Sequence, residues 1–157
     1  MKKNINYILW ALFVIVIAIQ FVPLNKQNPV INKSADFLLV SNAPDEVRTI
    51  IQESCYNCHS NETEWPWYSK IAPVSFMITH HVAEARENLN FSEWTSYDSK
   101  DLPHILQRIK KEIKKDEMPL SSYLLIHPEA KMNAENKTIV FNWIDELIES
   151  YKSIKGE

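Results

Sequence analysis

Residues 54–64 read SCYNCHSNETE, and both cysteines of the chain, Cys55 and Cys58, fall inside them with His59 directly behind. Two thiols three positions apart serve three chemistries: a redox disulfide, half of a metal site, or covalent attachment of a haem. A haem needs two thiols on neighbouring turns, one for each vinyl group, and a histidine just behind to reach the iron; Cys55-Tyr56-Asn57-Cys58-His59 has that spacing. A thioredoxin-like dithiol would want a strand before it and a βαβ setting. A structural zinc would have to recruit distant histidines, because there is no second cysteine pair.

Upstream of this stretch, MKKNINYILWALFVIVIAIQFVP carries Lys2 and Lys3 and then no charged residue until Lys26. As a helix, Ile5 to Val22 would span about 27 Å, close to the hydrocarbon core of a bilayer. The run ends in Ile19-Gln20-Phe21-Val22-Pro23 without a small-x-small cleavage site, so it reads as a retained anchor rather than a cleaved signal. Lysines ahead of the span put the N-terminus in the cytoplasm and everything after residue 24 outside, on the periplasmic side. This compartment suits covalent haem, which is attached outside the cytoplasmic membrane.

The expected organisation is an anchor over residues 1–23, a tether over 24–43 and a haem-binding domain over 44–157. Leaving Lys2 and Lys3 with the anchor lowers the basic count from 17 to 15 against 20 acidic residues, net −5. Nucleic acid is therefore not an expected partner, since it would call for a basic stripe. With a single glycine in the chain, no glycine-rich phosphate loop can be written either.

The domain reads as all-α, with about four helices. One starts near Pro44, with Asp45 and Glu46 in its first turn and Val47, Ile50 and Ile51 leading to Cys55. A second starts near Pro73 and carries the stripe Val74, Met77, Ile78, His81, Val82, Ala85 and Leu89. A third, after Asp101, aligns Leu102, Ile105, Leu106, Ile109 and Ile113. Asn133 caps the last, with Val140, Trp143, Ile144, Leu147, Ile148 and Tyr151 on one face. The only strand-like run is the short clasp Phe37-Leu38-Leu39-Val40 at the end of the tether. These stripes sum to a modest core, which a large apolar cofactor would complete.

The chain resembles the small haem-binding domain proteins, membrane-anchored c-type cytochromes with one haem. The resemblance runs through Asn28-Pro29-Val30, SCYNCHSNETEWPWYSKIAPVS (54–75), LNFSEW (89–94), MPLSSY (118–123), HPEA (127–130) and the closing helix with Trp143. It implies a cytochrome c-like fold around one covalent haem c and, by analogy, electron transport with redox protein partners; it brings no enzyme activity. One departure is plain: the glycine that lets the terminal helices of ordinary single-haem cytochromes c cross closely has no counterpart here.

On this reading His59 is the proximal iron ligand, and its other ring nitrogen donates to a backbone carbonyl, expected from the proline-braced stretch Trp65 to Pro73. Met118, followed by Pro119 in a loop between the third and fourth helices, is the expected distal ligand. His81 and His127 are the next candidates, ahead of His80 and His104, and an open sixth position is the remaining alternative. Met77 and Met132 are assigned to packing. Arg108, Lys110, Lys111, Lys114 and Lys115 form a basic run that is either a solvated helix end or a partner for haem propionates or an acidic protein. Electron carrier is thus the first reading, a haem-based ligand sensor the second, and a dithiol or metal module the third.

Overall fold

The apolar run forms a helix, α1 (Lys2–Ala18), closed by a 3₁₀ turn at Ile19–Phe21, in the computed structural model, which describes residues 2–153. Met1 of the expected anchor and residues 154–157 of the expected haem domain lie outside the described residues. The stretch Asn4–Phe21 is long and apolar enough to cross a membrane and none of it is buried against the protein. Its bounds sit one residue before the expected Ile5 to Val22.

The segment that follows is a strap bound along the domain. Lys26 donates to the Ser69 carbonyl, and Asn28 Nδ2 donates to the Thr63 carbonyl at 2.8 Å. Asn61 Nδ2 donates to the Val30 carbonyl at 3.2 Å, and Lys33 pairs with Glu62 at 2.7 Å. The clasp is then a single helical turn, α2 (Phe37–Val40), and not a strand. Asp36 explains why: its Oδ1 accepts from the amides of Leu38 and Leu39, satisfying donors that a turn of helix would otherwise leave free. The turn puts Phe37 and Leu38 into the protein with 1% of their surface exposed.

Pro44 and the acids behind it begin α3 (Asp45–Ile51), which runs through a π turn (Gln52–Tyr56) into α4 (Asn57–His59). A π turn holds more residues per turn than an α-helix, so Tyr56, five positions past Ile51, returns close to the buried face. There it stacks on Phe91 at 5.5 Å, and its hydroxyl donates to Asp36 Oδ2 at 2.9 Å. Burial and the neighbouring Asp36 push the Tyr56 phenol well above its usual range, so it stays neutral. Cys55, Cys58 and His59 are left for a different side of the helix.

After α5 (Val74–Asn88), a 3₁₀ turn at Phe91–Ser96, capped by Asn90, inserts Phe91 and Trp94 into the core. The long pair α6 (Leu102–Lys114) and α8 (Ala134–Ser153) is joined through the short α7 (Ser121–Leu124). Asn133 caps α8 as expected, its Oδ1 accepting from the Asn136 amide at 2.7 Å. Leu102, Leu106 and Ile113 face Val140, Trp143, Ile144 and Ile148 across that pair, and α3 also packs on α8. Phe37 stands at the centre, with ring centroids 4.2 Å from Trp94, 5.2 Å from Phe91 and 5.3 Å from Trp143. The described residues are helical with no strand. The expected α5 stripe is only partly internal: Val82 is buried, but Val74 and Met77 keep 37% and 47% of their surface exposed, so Met77 is not core filler.

Candidate haem site

A cavity of about 470 Å³ opens between α4, α5, α6 and the turn that follows α6, a volume in the range of cofactor sites. Cys55 lines it from the π turn, Cys58 and His59 from α4, His81, Ala85 and Leu89 from the α5 side, Arg108, Ile109 and Ile113 from α6, and Met118 and Met132 from the chain beyond. The expected attachment residues and the first-ranked distal residue therefore share one chamber.

His59 is fixed from behind. Its Nδ1 lies 3.1 Å from the Ala85 carbonyl and 3.0 Å from the Leu89 carbonyl. Both partners are acceptors, so Nδ1 carries the proton and Nε2 keeps its lone pair. Burial pushes the imidazole below its usual value, against the pull of the two carbonyls, which keeps the ring neutral. The carbonyls do not come from the stretch Trp65 to Pro73 as expected. The end of α5 offers them where the ring lies: the Ala85 carbonyl, which also takes the Leu89 amide at 2.9 Å, has a second lone pair for the ring, and the Leu89 carbonyl lies just past the last turn. The signal was the end of that helix at Asn88-Leu89-Asn90, with no glycine cap to satisfy it.

Two polar clusters that the sequence reading passed over hold this corner. Asn61 accepts from Asn90 Nδ2 at 2.8 Å and its amide donates to Ser92 Oγ at 3.0 Å, so SNETE and LNFSEW are locked together behind His59. Arg86 donates to the Ser60 carbonyl, Asn28 Oδ1 and Thr63 Oγ1, each at 2.7 Å, joining α5, the loop after His59 and the strap.

The thiols are free and half-buried. Burial, with Cys58 beside it, pushes the Cys55 thiol up to about 12. Burial also raises Cys58, although Arg86 pulls the other way. A catalytic dithiol needs a lowered pKa, and these shift in the opposite direction. Among the described residues no three His, Cys, Asp or Glu side chains converge as a metal-ion cluster, which leaves the zinc reading without ligands. The donors on the cavity wall (two thiols, the neutral His59 imidazole, His81 and two thioethers) fit a haem.

The haem-binding domain family matches the chain over residues 14–146. The chain belongs to that family. No curated protein and no solved structure matches it.

Within this haem-binding domain the other candidates separate by position. Met118 follows a Schellman turn that ends α6: Asp116 takes the left-handed conformation (φ 58°), its amide donates to the Ile113 carbonyl, and the Glu117 amide donates to the Glu112 carbonyl. An aspartate tolerates that conformation better than most residues, and Lys137 holds its carboxylate below the usual range. The turn swings Met118 to the cavity rim, where 37% of it is exposed. Met132 is 4% exposed, packed in the core as expected, and also forms cavity wall.

His127 lines only a smaller neighbouring groove and has both nitrogens engaged, Nδ1 with Glu129 at 2.9 Å and Nε2 with the Tyr68 hydroxyl at 2.5 Å. His80 lies beside Glu84 on the outside, and His104 is exposed away from the cavity. His81 borders both cavity and groove. Of the basic run only Arg108 reaches the cavity, donating to the Asn88 carbonyl at 3.0 Å. Lys110 is committed to Asp145 at 2.5 Å and lies over the Phe141 ring.

Proposed function

We propose that the protein is a membrane-anchored cytochrome c-like carrier of single electrons, holding one covalent haem c on the outer face of the cytoplasmic membrane. The observation that carries this reading is the convergence of Cys55, Cys58, His59 and Met118 on one cavity. A bound haem supplies a reversible one-electron step between ferric and ferrous iron. The Cys55 and Cys58 thiols provide its two thioether links, and His59 offers the Nε2 lone pair that its two carbonyl partners leave free. Met118 offers a soft sulfur that favours the ferrous state and raises the potential. It comes from the turn after α6, whereas His81 stands on α5, the same helix that supplies the acceptors behind His59. Arg108, at the cavity edge, is the group placed to meet a propionate. The packing of α3 on α8 supports a cytochrome c-like arrangement, here without a glycine at the crossing. The partners are then redox proteins and the lipid bilayer, and no enzyme activity is assigned.

Absorption spectra of protein matured in cells that attach c-type haem test this, taken oxidised, reduced and with carbon monoxide. Wild type is expected to be low-spin in both states, to resist carbon monoxide, and to show the weak long-wavelength band of a sulfur–iron bond. Met118→Ala should remove the band, admit carbon monoxide and lower the potential, while Met77→Ala changes nothing. Loss of the band in Met132→Ala instead would move the distal ligand to Met132. A histidine ligand is indicated if wild type lacks the band and His81→Ala turns high-spin. High-spin wild type that binds carbon monoxide at once would favour the sensor.

A further inference from the structure

The side-chain amide of Gln20 grips one residue of the haem domain from both sides. Its Nε2 donates to the Ala72 carbonyl at 3.2 Å, and the Ala72 amide donates to its Oε1 at 3.0 Å. Gln20 lies in the last turn of the apolar stretch Asn4–Phe21. A residue hydrogen-bonded to it is within one side chain of the depth at which that stretch leaves the bilayer. Lys26, six residues on, ties the strap to the Ser69 carbonyl of the same loop.

Large apolar side chains are exposed on the loop that holds Ala72 and on the turn after α7. Trp67 is 73% exposed, Ile71 48%, Leu125 84% and Ile126 56%. Val74 and Met77, the two stripe positions of α5 that found no core, border the same groove as Ile126, together with Pro66, Tyr68 and His127. Trp67 meets the Tyr68 ring edge-on at 5.7 Å, which joins it to that groove. Lys70 stands exposed among them.

We infer that this face, centred on Trp67, Ile71, Val74, Met77, Leu125 and Ile126, lies in the outer headgroup layer of the membrane, so that the haem domain rests on the bilayer instead of swinging from a linker. The inference rests on the anchor proposed above. Its occupant is lipid because the face is continuous with the end of the anchor and because exposed tryptophan and lysine suit the interface between acyl chains and headgroups. An apolar protein face settles about 5–10 Å into that boundary, within reach of residues one hydrogen bond from Gln20. One consequence follows for the site. α5 runs from Val74 at this face to His81 and Ala85 on the cavity wall, about 10–16 Å along its axis at 1.5 Å per residue. The cavity is thereby held at a fixed height over the membrane, where a membrane-held redox partner can meet it.

The test is photo-crosslinking of the full chain in phosphatidylethanolamine–phosphatidylglycerol vesicles, with p-benzoylphenylalanine at one position at a time and the haem absorption checked in each variant. The positions are Trp10 in α1, Trp67 and Leu125 on the face, and Glu146 on α8. Trp67 and Leu125 are exposed, so the replacements disturb no core. Phospholipid adducts at 10, 67 and 125 and none at 146 are the expected result. Adducts at 10 alone overturn the inference and leave the anchor standing; no adduct at 10 removes the anchor and the inference with it. Adducts of 67 or 125 to protein in place of lipid, whether a second copy or another chain, also overturn it.

Discussion

Asp36 does more than its place ahead of the haem motif suggests. One carboxylate oxygen caps α2 while the other takes the Tyr56 hydroxyl, so a single buried side chain couples the strap's last turn to the helix that carries Cys55. Asp36→Ala removes a helix cap and leaves a buried phenol without a partner, a loss of about 2–4 kcal/mol in denaturant unfolding. Tyr56→Phe should cost less alone, and the double variant should cost less than the two losses added, because they remove the same bond. A fully additive pair would show that the two residues act independently. At this scale the residues that come to share the cavity were legible and their support was not. Cys55, Cys58, His59 and Met118 are marked by residue type and spacing. The acceptors behind His59 are backbone carbonyls of Ala85 and Leu89, which any residue could supply, so no side chain announces them.

The elements show a similar division. The stripes of α6 and α8 and the Asn133 cap could be read from the sequence because the apolar side of those helices meets the core, or for α6 the core and the cavity, and the other side meets water. Four apolar residues in a row, Phe37 to Val40, have no period, and only the Asp36 cap makes them helical. The π turn was likewise invisible, since its register is set by where Tyr56 must go once Asp36 and Phe91 are in place. The α5 stripe kept its helical period and yet misled about burial, because its first turns meet a groove and an open face, not the core. A shortened chain tests the revised anatomy. Removing Phe37 and Leu38 deletes two fully buried side chains, worth together about 5–10 kcal/mol, against a total of about 5–15 for a small domain. With a cleavable export signal placed ahead of each, protein beginning at residue 24 should mature and melt cooperatively, while protein beginning at residue 44 should not. If the shorter chain melts at the same temperature, α2 is not part of the core.

For the molecule as a whole, the buried cluster and the cavity lie side by side. The buried cluster packs around one side, and Cys55, Ile109 and Ile113 stand between it and a chamber of about 470 Å³. On the proposed function, filling that chamber with an apolar ring would add the surface that the side chains do not supply and couple folding to haem attachment. In the proposed function, the anchor and the strap would hold the loaded domain beside the membrane. The measurement that bears most directly on this account is the intact and peptide mass of protein matured with c-type haem machinery. It should show one haem per chain, bonded through both Cys55 and Cys58, with no free thiol remaining. A matured chain that keeps both thiols free, or that carries one equivalent of zinc in place of haem, would contradict it.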